Sequence, residues 1–294
     1  WNYDIMLTHS YWVAQDFGPW LTNMGHAEYA AGGVDRNDNI VCPFQSPEQV
    51  LAFDPVESLG HRTVKELAAA HEKTFQQVSR ENPFAVCCAG IYHSCFTGLI
   101  QLFGWDMMLT AAGMDPAGMG RIANRYAEWV MPHFEALANT SATVIYVHDD
   151  LVWTTGPVLA PAWYRQYIFP NYRKYFAPLR DAGKKILFVC DGNYDVFVDD
   201  VAACGASGFF FEPLTSLERI AERYGKTHFM IGNVDTRILL SGTKAAIRTE
   251  VERCMAAGKQ CPGYFMGVTN MIPHNTPVDN AFHYNEVYEK LCRR

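Results

Sequence analysis

The 294 residues carry 24 Lys and Arg against 31 Asp and Glu, a formal net charge of −7, and 49% of them are apolar. That balance argues against nucleic acid or an anionic membrane surface as partner, and no run of about 18 or more apolar residues predicts a membrane span. The length suits one domain with a sizeable core, and the nine scattered cysteines read as the reduced thiols of a cytoplasmic protein.

In chain order, residues 1–60 are the least regular, with Gly32 and Gly33, a polar stretch at 35–39 and Pro43. Residues 3–9 are expected to form a first strand, and the rest of this segment to cover one mouth of a barrel. The opening on Trp1 leaves open whether part of the first barrel unit precedes it. Over 61–80, Val64, Leu67, Ala68, His71, Phe75 and Val78 recur at helical spacing. There follows PFAVCCAGIYHS (83–94), then a helical stretch, a loop around 113–120 and a second helix over 121–139. The remaining runs are ATVIYVHDD, KKILFVCDGN, SGFFFEP, HFMIGNVD and GYFMGVTN, with a helix over 164–180 after the first of them.

These six runs are apolar without period-two alternation, as strands buried on both faces are. Continuous apolar strands alternating with helices predict an α/β fold, a (β/α)8 TIM barrel spanning 1–294 as one domain. Seven strands are legible; the eighth is not. Polar residues cluster just after the strands, on the face where such barrels carry chemistry. They are His93; His148, Asp149 and Asp150; Asp191 and Asn193; Glu212; Asn233 and Asp235; and Asn270. An enzyme is the leading reading.

From Val144 onward, VIYVHDDLVWTTGPVLAPAWYRQYIFPNYRKYF, GKKILFVCDGN, EPLTSLERIAERYG, IGNVDTRIL and NMIPHNTPVDN resemble the uroporphyrinogen decarboxylase superfamily, with a likeness covering about residues 53–292. The resemblance implies a barrel with its cleft at the C-terminal strand ends. It also implies one of two chemistries: decarboxylation of an acidic porphyrinogen, or methyl transfer involving a corrinoid protein. The residues disfavour the first, since a polycarboxylate needs paired cations and the strand ends offer acids, His and Asn, with Arg237 the only nearby cation. Thiol-accepting methyltransferases of the superfamily hold zinc with His-x-Cys and a later Cys. Here the matching positions are Phe188-Val189-Cys190 and Asn270, which departs from that branch.

The branch that remains transfers a methyl group from a methoxylated aromatic to a corrinoid (cobalamin) carried by a separate protein. Glu57, Glu72 and His93, with fourteen and twenty residues between them, match a spacing associated with zinc in that group. Zinc would act as a Lewis acid on the ether oxygen. One Asp of the His-Asp-Asp run is expected to cap the next element. The other, Asp150 by preference, then enters the cleft as a general acid, joined by Asp191, His93 and Glu212; Glu212 alternatively pairs with Arg237. Tyr92, His148, Trp153, Asn193, Asn233, Asp235, Asn270 and His274 are the candidate substrate contacts, with His148 alternatively a core residue and His274 a lid or surface residue. Trp163, Tyr164, Tyr194 and Phe265 add to a flat apolar pocket. A methylamine donor, or a non-catalytic module binding a corrinoid or tetrapyrrole, are the competing readings.

Overall fold

The computed structural model describes residues 4–23, 41–268 and 271–293. The polar stretch at 35–39 and Asn270 lie outside them.

Eight strands form one curled parallel sheet: β1 (Ile5–Met6), β2 (Tyr11–Trp12), β3 (Val86–Tyr92) and β4 (Val144–His148), then, beyond a small antiparallel hairpin of β5 (Val152–Trp153) and β6 (Gly156–Pro157), β7 (Lys185–Cys190), β8 (Gly208–Phe211), β9 (Phe229–Ile231) and β10 (Tyr264–Phe265). Both β1 and β2 lie on β3, so the sheet runs through seven positions in chain order, as the sequence leads one to expect. The fold is of the TIM-barrel type. Among the described residues no pairing joins β10 to β1. Residues of the C-terminal helix Val278–Leu291, such as Tyr284 and Tyr288, line the interior alongside these two strands.

Of the strand expected over 3–9 only Ile5–Met6 forms, and a second short strand, Tyr11–Trp12, follows beyond it, just after Ser10. Its Oγ accepts from Gly90 N at 2.9 Å and contacts His71 Nδ1 at 2.7 Å, so a hydroxyl enters the ladder where a peptide would otherwise pair. The opposite side of Gly90 is equally tight: a Cβ there would stand 1.9 Å from the Tyr146 carbonyl oxygen, which only glycine avoids.

Helix boundaries follow local chemistry. The helix expected over 61–80 spans Val64–Glu81, started by a Thr63–Glu66 capping box. The expected loop at 113–120 shrinks to a break at Asp115, because Asp115 caps and Pro116 opens the helix Pro116–Ala138. The helix expected over 164–180 is instead two, Pro161–Tyr167 and Phe169–Asp181, interrupted just before Pro170, which lacks the N–H that one continuous helix needs. The described part of the N-terminal segment packs through Phe44 and Phe53 onto Phe103, with ring centroids 4.9 and 5.7 Å away, and through an Asp54–Arg125 ion pair at 2.8 Å. No helix among the described residues is long and apolar enough to cross a membrane.

The strands carry no alternation in hydrophobicity, yet their side chains divide by parity into two apolar layers. Ile145, Val147, Ile186 and Phe188 join the layer between sheet and helices. Val144, Tyr146, Leu187 and Val189 join Ile5, Cys88 and Ile231 in the barrel interior.

Between the N-terminal strands and the helices lies a buried pair of imidazoles, with His71 Nε2 and His133 Nδ1 3.3 Å apart. Burial depresses both to about 3; the neighbouring His133 adds to the effect on His71 and Arg62 to that on His133. Their unfolded values lie near 6.5, so the unfolded chain binds more protons below that pH. The stability they contribute is intact above about pH 6.5 and is lost as pH falls toward 3. Denaturant melts between pH 6.5 and 5 are expected to lose up to about 1.4 kcal/mol per pH unit for each imidazole, and His133→Phe to reduce that slope by about half.

Candidate active site

Parity carries the chemistry to the mouth. On β4 the inward positions continue from Val144 and Tyr146 to His148 and then Asp150. On β7 they continue from Leu187 and Val189 to Asp191. The two strands are in register with His148 opposite Val189. His148 Nε2 and Asp150 Oδ1 are 2.9 Å apart, and the same oxygen accepts from Asp191 N at 2.9 Å. Tyr146 Oη sits 3.1 Å from His148 Nδ1, and the Tyr92 ring lies edge-on to the imidazole with centroids 4.0 Å apart.

Charge in this trio is unequally shared. Burial works to raise the Asp150 carboxyl, but the charge and hydrogen bond of His148 outweigh it and hold Asp150 below the usual carboxylate range. Burial likewise works to lower His148, and Asp150 outweighs it in the other direction, so the imidazole is raised. Asp191 has no such hydrogen bond. Burial first, then the like charge of Asp150, pushes it up to about 7. The trio thus combines an ionised Asp150, an imidazole of raised proton affinity and, in Asp191, a carboxyl group partly protonated near pH 7.

His148 and Asp191 face a cavity of about 770 Å³ inside the barrel, walled by aromatic side chains including Tyr92, Tyr146, Phe210 and Phe265. Among the described residues, none that line it is Lys or Arg. Tyr146, Asp4 and the helix positions Ala281, Tyr284, Asn285 and Tyr288 line it and escape the sequence reading. The signal for the helix was present: these four fall on one face at i, i+3, i+4 and i+7.

Asp149 points the other way. It accepts from Phe96 N at 2.9 Å, Thr97 N at 2.6 Å and Tyr172 Oη. It therefore caps Phe96–Phe103, the helix after β3, and not the element that follows it in sequence. Thr97 Oγ1 in turn accepts from Asp150 N at 2.6 Å.

The other expected site residues are placed as follows. His93 is buried at the end of β3 with φ 67°, its Nδ1 accepting from Trp12 Nε1 at 2.7 Å. Glu212 Oε2 accepts from Gly192 N at 2.9 Å; it does not take the expected ion pair, because Arg237 is held bidentately by Asp235. Asp235 also caps the helix Thr236–Ser241. Asn193 Oδ1 accepts from Asp195 N within a turn. Asn233 is buried, donating to Thr215 O and accepting from Arg253. Trp153 is exposed, its ring edge-on to Trp105. His274 is exposed. Trp163, Tyr164 and Tyr194 pack in the layer between sheet and helices, whereas Phe265 reaches the cavity.

Glu57, Glu72 and His93 are not brought together as a ligand set. Glu57 is exposed on the short helix Pro55–Ser58, and Glu72 is fixed by Ser141 N and Oγ at 2.8 and 2.6 Å. These residues do not fit the zinc that their spacing suggested.

A family model described as uroporphyrinogen decarboxylase (URO-D) matches residues 27–291. A uroporphyrinogen decarboxylase of Syntrophotalea carbinolica is 27% identical over 272 residues, covering 85% of this chain and 77% of the relative. That of Carboxydothermus hydrogenoformans is 26% identical over 176 residues, 60% of this chain and 49% of the relative, so the alignment reaches only about half its length. Among solved structures, a methyltransferase from Methanosarcina mazei superposes with a TM-score of 0.61 at 17% identity, covering 95% of this chain and 77% of that one. At that identity the likeness is one of fold.

Two outcomes follow from the geometry. A carboxyl titration followed by carbon NMR should give Asp191 a midpoint near 7, moved downward in Asp150→Asn as the like charge is removed. Asp149→Ala should cost about 3–5 kcal/mol in chemical denaturation, since three buried donors lose their acceptor at once.

Proposed function

This chain belongs to the uroporphyrinogen decarboxylase family, and on that premise we propose that it is a methyltransferase: it binds a methoxylated aromatic in the barrel and delivers the methyl group to a corrinoid carried by a separate protein. The observation that carries the reading is the His148–Asp150–Asp191 trio at an aromatic-walled cavity whose described lining has no Lys or Arg and whose one basic side chain, His148, is bound to Asp150. A porphyrinogen polycarboxylate entering such a cavity would be desolvated without a countercharge. A neutral ring with one ether oxygen meets apolar walls and a hydrogen-bond donor instead. The Methanosarcina mazei methyltransferase shows that this fold also accommodates methyl transfer.

The partner's reduced corrinoid supplies the cobalt nucleophile that accepts the methyl group. This chain's residues do the rest. The aromatic walls hold the ring, and Asp191, protonated below about pH 7, donates its proton to the oxygen as the methyl C–O bond breaks, so that a phenol leaves instead of a phenolate. Asp150 stays ionised against His148 and keeps Asp191 proton-rich through its like charge. Trp12, Trp153 and Met271 are 44%, 54% and 59% exposed, apolar surface available to a docking partner, and Met271 lines the cavity. No step passes through Glu57 or Glu72.

One observation favours a second donor class. Tyrosine rings together with uncompensated carboxylates also suit a methylammonium cation.

Incubation with cob(I)alamin and separate panels of methoxybenzenes and methylamines, followed by the absorbance change to methylcobalamin, distinguishes these readings. Conversion with aryl ethers is expected, falling as pH rises through about 7 because the acid loses its proton. Asp191→Asn should lower it roughly 10²–10⁴-fold, and Glu57→Gln should leave it unchanged. Conversion only with methylamines would reassign the donor. Its absence with every donor, even with a corrinoid protein supplied, together with tight binding of that protein, would favour the non-catalytic module.

A further inference from the structure

The metal set suggested by sequence spacing is not assembled, but the fold assembles another. We infer that His148, Asp150 and Asp191 form a binding site for a divalent first-row transition cation of the zinc or cobalt class. One ligand atom from each residue lies within 4.8 Å of the other two, and among the described residues this is the one group of three or more His, Cys, Asp or Glu so gathered. Donors held about 2.0–2.2 Å from an ion stand at most ~4.4 Å apart, so the widest pair has to draw together as the ion binds. The 2.9 Å between His148 Nε2 and Asp150 Oδ1 is a hydrogen bond whose proton an ion would replace, the two atoms opening to ~3.3 Å on a tetrahedral ion.

Three further observations point to a cation here. Tyr146 Oη engages His148 Nδ1 at 3.1 Å, which fixes the ring and leaves Nε2 toward the carboxylates, the outer-sphere arrangement that metal-bound imidazoles use. The Asp191 carboxylate accepts no hydrogen bond from any described residue and faces the cavity, where open coordination positions would meet a substrate. Arg237 is committed to Asp235, so among the described residues His148 is the one basic side chain beside two desolvated carboxylates. One imidazole with two carboxylates is a borderline donor set, suited to zinc, cobalt or manganese more than to calcium.

An ion takes Asp191 only as the carboxylate, so a bound cation and the general-acid role of Asp191 are alternatives, and the cation is measured with no donor or corrinoid present. The intact protein would be titrated with Co²⁺ under anaerobic conditions while its visible d–d absorption is recorded, then with Zn²⁺ as competitor, with thermal melts in parallel. A saturable Co²⁺ spectrum, bleached by Zn²⁺, and a raised melting temperature are expected. Asp191→Asn should weaken binding by at least about 100-fold and Tyr146→Phe by about 10-fold, the larger loss for a ligand and the smaller for an outer-sphere partner. Glu72→Gln should bind as the parent does. A metal-free melt establishes that each variant is folded, and His148→Gln replaces Asp191→Asn should the latter not fold. Absence of a saturable spectrum in the parent protein overturns the inference. So does binding that survives Asp191→Asn or is lost in Glu72→Gln.

Discussion

The site hangs on a carboxylate that never enters it. Asp149 collects two N–H groups at the start of the helix Phe96–Phe103 and the hydroxyl of Tyr172, so one buried anion fastens two outer helices to the end of β4. That helix has no capping side chain of its own. Its exposed donors and positive dipole end are met from another strand. Because Thr97 is held in this way, its hydroxyl is placed to receive the Asp150 amide, and the backbone that carries the inward carboxylate is fixed from behind. The adjacent pair of aspartates thus divides the labour: the outward one builds the scaffold and the inward one faces the chemistry.

What the interior then presents is an electrostatic deficit. Asp150, Asp191 and Glu212 approach one another at the mouths of β4, β7 and β8, and the available cations are spent elsewhere, Arg237 on Asp235 and Arg253 on Glu218, Glu250 and Asn233. In a low-dielectric cavity such a deficit has to be met by protons or by a cation. A raised carboxyl beside the hydrogen-bonded His148–Asp150 pair is the protonic answer, and a bound divalent ion would be the metallic one. Either arrangement distinguishes this barrel from one built to receive a polyanion, although its curated relatives carry the decarboxylase name.

Much of the fold was legible. Continuous apolar runs such as Ile145–Val147 within β4 announce strands covered on both faces, and Thr63 with Glu66, or Asp115 with Pro116, announce helix starts. The polar residues after each run located the working end of the barrel. They did not sort themselves by role: Asn233 and Asp235 follow a strand as Asp191 does, yet they bind Arg253 and Arg237 and serve the scaffold. The spacing of Glu57, Glu72 and His93 misled for a related reason, since separation in sequence says nothing about which end of a helix a side chain reaches. Glu72 meets Ser141, far from the strand end that carries His93.

By itself, then, the sequence determined the order and kind of the elements, the parallel sheet and the family. These rest on local periodicity, capping chemistry and an ordered string of motifs, all of which act over a few residues. Only the tertiary structure decided which polar groups share a cavity. Register between β4 and β7 set His148, Asp150 and Asp191 side by side, curvature of the sheet closed aromatic walls around them, and the C-terminal helix brought Tyr284 and Tyr288 to line the same cavity. Those are relations between segments far apart in the chain, and burial, charge balance and proton affinity exist only once the segments have met.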